Sequence, residues 1–267
     1  MELGIRSPLL DFFKRGEVAK DVRLLAARGA LAPRAQEQIA LLAILTEDSD
    51  PEVRSAATTT LAAIPGESLA MFLGKPDVPD GLKDFFRGRG IEPIVGGETT
   101  DEPLVDIEVV TDQPVGEPVN EVEDGEEDAE RQGAAHRLGL MGIAGRMKAA
   151  MKGTKEERAI LIRDPNKLVS VSVLSSPKLT ESEVENFAKL GSVSEEILRI
   201  IGQNRAWVKN YGVVSALAKN PKTPLGVSLN FVQRLNEKDL KLMAMDRNLQ
   251  QPLKLAVRKR LVKPDKT

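Results

Sequence analysis

From Asp164 to about Lys263 the chain is written twice, and that repetition limits its folds more than any other feature. Shifted by 56 residues, Pro165 falls on Pro221, Val169 on Leu225, Val171 on Val227 and Val173 on Leu229. The register continues through Thr180/Asn236, Glu181/Glu237, Val184/Leu240, Phe187/Met243 and Ala188/Ala244, and persists at Val193/Leu249, Ile197/Leu253 and Ile201/Val257. Junctions at Pro165, Gly191, Pro221 and Arg247 stand 26, 30 and 26 residues apart, so each block divides in two, and each part opens a new helical apolar pattern. A period of this size built from helices alone predicts a helical solenoid. In such an array each helix pair has one apolar side and buries it only against the next pair.

Charge divides the 267 residues into three. Residues 1–91 carry 12 Lys and Arg against 13 Asp and Glu, residues 92–135 carry one Arg against 15 acids, and residues 136–267 carry 25 basic against 12 acidic residues. The expected domains follow these limits: a neutral helical head over 1–91, an acidic linker over 92–135 and a basic helical array over 136–267. Aromatic residues make up only 3% of the chain, so the core has to come from Leu, Val, Ile and Ala. With no cysteine, disulfide and thiolate chemistry are excluded. Glu2, Pro8 and Asp11 interrupt the place where a signal peptide needs an apolar run, and Ile39 to Leu45 is too short to span a bilayer. The expectation is a cytoplasmic protein without a membrane span.

In the head, Ile39, Leu42 and Leu45 share one helical side, widened by Leu41 and Ile44. The run Asp50-Pro51-Glu52-Val53-Arg54-Ser55-Ala56-Ala57 follows, with Asp50 as a candidate N-cap and Pro51 as the first-turn residue. This run resembles the opening of the second helix of a HEAT repeat, and Pro76-Asp77-Val78-Pro79 is similar to Pro221-Lys222-Thr223-Pro224 in the tail. The resemblance covers residues 9–90 and 137–263. It implies an all-α protein of two HEAT-like α-solenoid segments joined by an acidic disordered linker. It says little about function, because such arrays serve many roles.

Between Glu98 and Glu130 there are 14 acids and no basic residue, a composition that predicts a self-repelling, disordered linker. The alternation from Leu104 to Val110 could form a strand on docking to something. A calcium loop centred on Gly125 fails, because Val122 and Arg131 would stand at ligand positions. A first, capping helix of the tail is expected over 138–151. Further helices are expected over 155–163, 166–175, 181–189, 194–203, 206–219, 224–234, 237–245 and 251–262. Thr180 with Glu183 forms a capping-box pattern; Ser194 with Ile197 does not.

Counting removes the standard catalytic constellations. His136 is the sole histidine, so histidine-based metal sites and histidine-paired nucleophiles are excluded, and no phosphate-cradling glycine loop is present. Deoxyhypusine hydroxylases and alkylpurine DNA glycosylases, two enzyme classes of similar architecture, need iron-binding histidines or a tryptophan-lined cleft that this sequence lacks. The expectation is a non-enzymatic protein with no catalytic, cofactor-binding or metal-binding residue.

One stretch breaks the monotony. Asn204 to Tyr211 holds the only tryptophan and the only tyrosine, four residues apart, with Arg205 and Lys209 also four apart. On a continuous helix 206–219, Trp207 and Tyr211 would share a face. Read one way, Arg205, Trp207, Lys209 and Tyr211 are a partner-binding spot. Read the other way, Trp207 and Tyr211 continue through Val214 and Ala218 as a core stripe. The expected function is a scaffold or adaptor that binds another protein. The alternative is nucleic-acid binding through the basic array 136–267, masked by the acidic linker.

Overall fold

The computed structural model describes residues 3–5, 7–32, 34–95, 102–105, 133–246 and 249–262. The described residues are helical with no strand, and no helix among them is long and apolar enough to cross a membrane. Two compact units emerge, Met1–Lys178 and Leu179–Thr267.

The first unit contains α1 (Pro8–Lys14), α2 (Lys20–Ala27), α3 (Ala35–Leu45), α4 (Pro51–Ala63), α5 (Gly66–Leu73) and α6 (Asp80–Arg87). It continues with α7 (133–140), α8 (Ile143–Lys152), α9 (Lys155–Leu161) and α10 (Lys167–Leu174). Helix α2 packs on α3 and α4, and α8 packs on α9 and α10. Helices α1 and α2 also meet α10 and α8, so the segment after the acidic stretch packs with the head, and the boundary between units falls at Lys178. The helix expected over 138–151 is two helices, because the chain turns at Met141-Gly142.

One loop device appears twice in this unit. Asp48 Oδ1 accepts the Asp50 amide, and Asp50 Oδ1 in turn caps α4 by accepting the Glu52 amide (both 2.9 Å). Asp164 Oδ1 accepts the Asn166 amide (2.8 Å), and Asn166 caps α10 through the Leu168 amide (2.9 Å). In each case an arginine two helices back holds the aspartate: Arg23 of α2 on Asp48, and Arg146 of α8 on Asp164, both at 2.7 Å. Each cap satisfies a donor that the helix itself leaves open, a contribution of about 1 kcal/mol.

The second unit contains α11 (Glu181–Lys189), α12 (Glu195–Gln203), a 3-10 turn (Trp207–Lys209), α13 (Tyr211–Lys219), α14 (Leu225–Val232), α15 (Glu237–Met245) and α16 (Gln251–Val262). The starts of α9, α11 and α12 recur 56 residues on at α13, α15 and α16, while α14 opens two residues later than α10 would place it. The helices pack as three pairs, α11/α12, α13/α14 and α15/α16. First helices meet first helices and second meet second: α11 packs on α13 and α14 on α16. Helix α12 approaches α14 at Gly202, where a Cβ would come within 2.7 Å of Val227 Cγ1.

Burial tests the repeat register position by position. Phe187 and Met243 are both buried, in keeping with equivalent core positions. Val171 is buried while Val227 is half-buried, and Ser228 takes the interior position beside it. The capping box at Thr180 and Glu183 forms as expected; one at Thr154 and Glu157 was not anticipated.

The acidic stretch is described at residues 102–105, where Val105 packs against the head and is not free chain. Apart from 102–105, the stretch 98–130 for which disorder is expected lies outside the described residues. Residues 106–132 lie outside the described residues.

Candidate partner-binding surface

The expected helix 206–219 does not run through. The Asn204 side chain accepts the Ala206 amide (2.9 Å), and Trp207–Lys209 form only a 3-10 turn. Asn210 then leaves helical geometry, and its side chain accepts the Gly212 amide (2.8 Å). An asparagine that serves its own backbone in this way starts a helix and does not continue one. Helix α13 therefore begins at Tyr211, and Trp207 and Tyr211 lie on different elements. The shared face and the continuous core stripe are both lost. Val214 and Ala218 are buried, Trp207 is half-buried, Arg205 and Lys209 are exposed, and Tyr211 is 41% exposed.

Tyr211 is instead the centre of a polar joint between α13 and α15. Its hydroxyl donates to Asp239 Oδ2 (2.5 Å) and accepts the Asn236 amide (3.0 Å). Asp239 also takes Ser215 Oγ (3.3 Å) and Lys219 Nζ (2.6 Å), and its own amide donates to Asn236 Oδ1 (2.8 Å). Burial, followed by the bond to Asp239, raises the Tyr211 pKa above its ordinary 10.0. Burial would push Asp239 up, but the bonds from Lys219 and Tyr211 outweigh it and hold the carboxyl below its ordinary 3.8. Nearby, Arg234 donates to the Val208 carbonyl and fastens the 3-10 turn to the end of α14 (2.5 Å).

Beyond this joint, α15 points Leu240 and Met243 into the unit and leaves Leu242 (55%) and Met245 (79%) exposed. At 3.6 residues per turn, Lys238, Lys241, Leu242 and Met245 fall within an arc of about 100°. This face was missed in the sequence, although a signal was there. Leu240, Leu242, Met243, Ala244 and Met245 are more apolar residues than one side of a short helix can bury. Several basic residues of the second unit stand in ion pairs. Lys189 meets Glu185, Lys219 meets Asp239 and Lys241 meets Glu237 (each 2.6 Å), and Arg199 meets Glu196.

Among the described residues no group of three or more His, Asp or Glu side chains converges in a way that would hold a metal ion. His136 is exposed on α7. No protein family, no curated protein and no solved structure matches this chain.

Proposed function

We propose that the chain is a HEAT-like α-solenoid adaptor that binds another protein through the exposed face of α15. The observation that carries this reading is the pair Leu242 and Met245, two large apolar side chains exposed on one side of α15 and rimmed by Lys238 and Lys241. Apolar side chains at i and i+3 with a charged rim suit a partner segment that offers apolar anchors and acids. Arg205, Trp207, Lys209 and Tyr211 are a second surface for a partner, since Trp, Tyr and Arg dominate binding hot spots. The stacked helix pairs of the second unit and the 56-residue recurrence of helix starts support the solenoid reading.

Nucleic-acid binding needs basic side chains free to neutralise phosphates. Lys189, Arg199 and Lys219 already face acids, which reduces the charge the second unit has for phosphates. The test is affinity capture from the source cells, nuclease-treated, with the full chain and with its Leu242→Asp, Met245→Asp variant. Proteins held by the first and lost by the second support the reading. Capture that disappears on nuclease treatment alone overturns it in favour of nucleic acid.

A further inference from the structure

Gln38 lies in the first turn of α3 and is 1% exposed, an unusual setting for a long polar side chain. Its amide is not idle. Gln38 Nε2 donates to the Gly29 carbonyl (3.0 Å) and to the Val105 carbonyl (2.6 Å), while Oε1 accepts the Val105 amide (3.0 Å). A primary amide presents a donor and an acceptor side by side. Here they meet the C=O and N–H of a single residue, as a neighbouring strand would in an antiparallel ladder. Gln38 thus substitutes for one rung of a sheet in a protein whose described residues contain none.

Gly29 forms the facing wall. Its φ of +85° is a conformation that side-chain-bearing residues rarely adopt, and a Cβ there would stand 3.1 Å from Val105 Cγ1 and 3.2 Å from Val105 Cβ. The site therefore combines a backbone-reading amide with a floor cleared for one branched side chain. The occupant comes from the acidic stretch, 67 residues away in sequence from Gln38. Without an occupant, Gln38 Oε1 would exchange the Val105 amide for water.

We infer that Gln38 and Gly29 form a docking site that reads the backbone of one residue of a peptide segment, and that its occupant is this chain's own residues 102–105. Its recognition rests on the C=O and N–H of Val105 and on the small branched side chain set against Gly29, so a free copy of the same segment is the competitor the site should take. The tether keeps the resident segment at roughly millimolar effective concentration, so a peptide added at micromolar levels competes poorly against it.

The test uses the full chain and a labelled synthetic peptide of residues 101–107. In the Val105→Pro variant the resident segment lacks the amide that Gln38 accepts. That variant should bind the peptide on the order of tenfold or more tighter than the unaltered chain, whose site is closed in cis. Adding Gln38→Met, close in volume but without the amide, should abolish the gain. Circular dichroism and melting of each variant establish that the helices remain folded. Three results overturn the inference: no peptide binding to the folded Val105→Pro chain, equal binding to it and to the unaltered chain, or binding that survives Gln38→Met. These results are independent of α15, so they stand or fall apart from the adaptor reading.

Discussion

The two units close the same loop in different chemical ways. In the first, Asp164 caps its turn through Oδ1 and spends its other oxygen on the Arg146 guanidinium. Fifty-six residues later Asn220 keeps the first bond, accepting the Lys222 amide at 3.0 Å, and replaces the second. Its amide nitrogen donates to the carbonyls of Ala188 (2.8 Å) and Leu190 (3.1 Å) at the end of α11. One atom exchanged, oxygen for nitrogen, turns a charged tie between helices into a neutral tie between a loop and the preceding helix end. The units differ again in what they cover. The first fills its backbone-reading site with residues 102–105, though Val95 and Leu140 stay exposed; the second leaves Leu242 and Met245 uncovered on one face of α15. A polar site is cheap to fill with the chain's own backbone, whereas an apolar face needs apolar side chains that an acidic stretch supplies sparingly.

The largest expected effect tests whether the units are separate cooperative bodies. Phe187→Ala empties a fully packed position in the second unit and should cost about 3–5 kcal/mol. Hydrogen exchange should lose protection in α11 to α13 and keep it in α2 to α4; uniform loss would erase the division.

Next comes the shared loop position. Asp164→Ala strands Arg146 beside a largely buried site and should destabilise by about 3 kcal/mol. Asn220→Ala removes neutral hydrogen bonds and should cost about 1–2 kcal/mol by denaturant titration. Equal losses would mean that charge makes no difference there.

A smaller effect belongs to the joint between α13 and α15. Tyr211→Phe should cost about 1 kcal/mol, since it removes one partially exposed hydroxyl shared by Asn236 and Asp239. The Asp239 carboxyl is held below 3.8 in the fold, so the stability it contributes is complete above pH 3.8. It is lost as pH falls from there through the depressed folded value. Asp239→Asn should remove that part of the acid sensitivity, measured as a flatter decline in stability as pH falls below 3.8. An unchanged acid profile would deny Asp239 this role. The smallest change in stability, within about 0.5 kcal/mol, is expected for Leu242→Asp with Met245→Asp, because neither side chain is buried. A large loss by thermal melting would show that α15 packs where it is taken to be open.

The sequence by itself determined the helices and their period. Apolar spacing and caps act within one or two turns, so Glu181–Lys189, Glu237–Met245 and Gln251–Val262 were legible to the residue. Phe187 and Met243 were legible as core for the same reason. The sequence pointed to the stretch containing Arg205, Trp207, Lys209 and Tyr211 but misread its form, because Asn210 looks alike as an interior residue and as a cap until its side chain finds the Gly212 amide. What only the tertiary structure decided are the contacts between residues far apart in sequence. Gln38 meeting Val105, Arg146 meeting Asp164 and Tyr211 meeting Asp239 depend on how helices are placed, not on what any one helix prefers. The exposed side of α15 belongs with them. Leu242 and Met245 are as apolar as Leu240 and Met243, and burial distinguishes them only once a neighbouring helix covers one side and not the other.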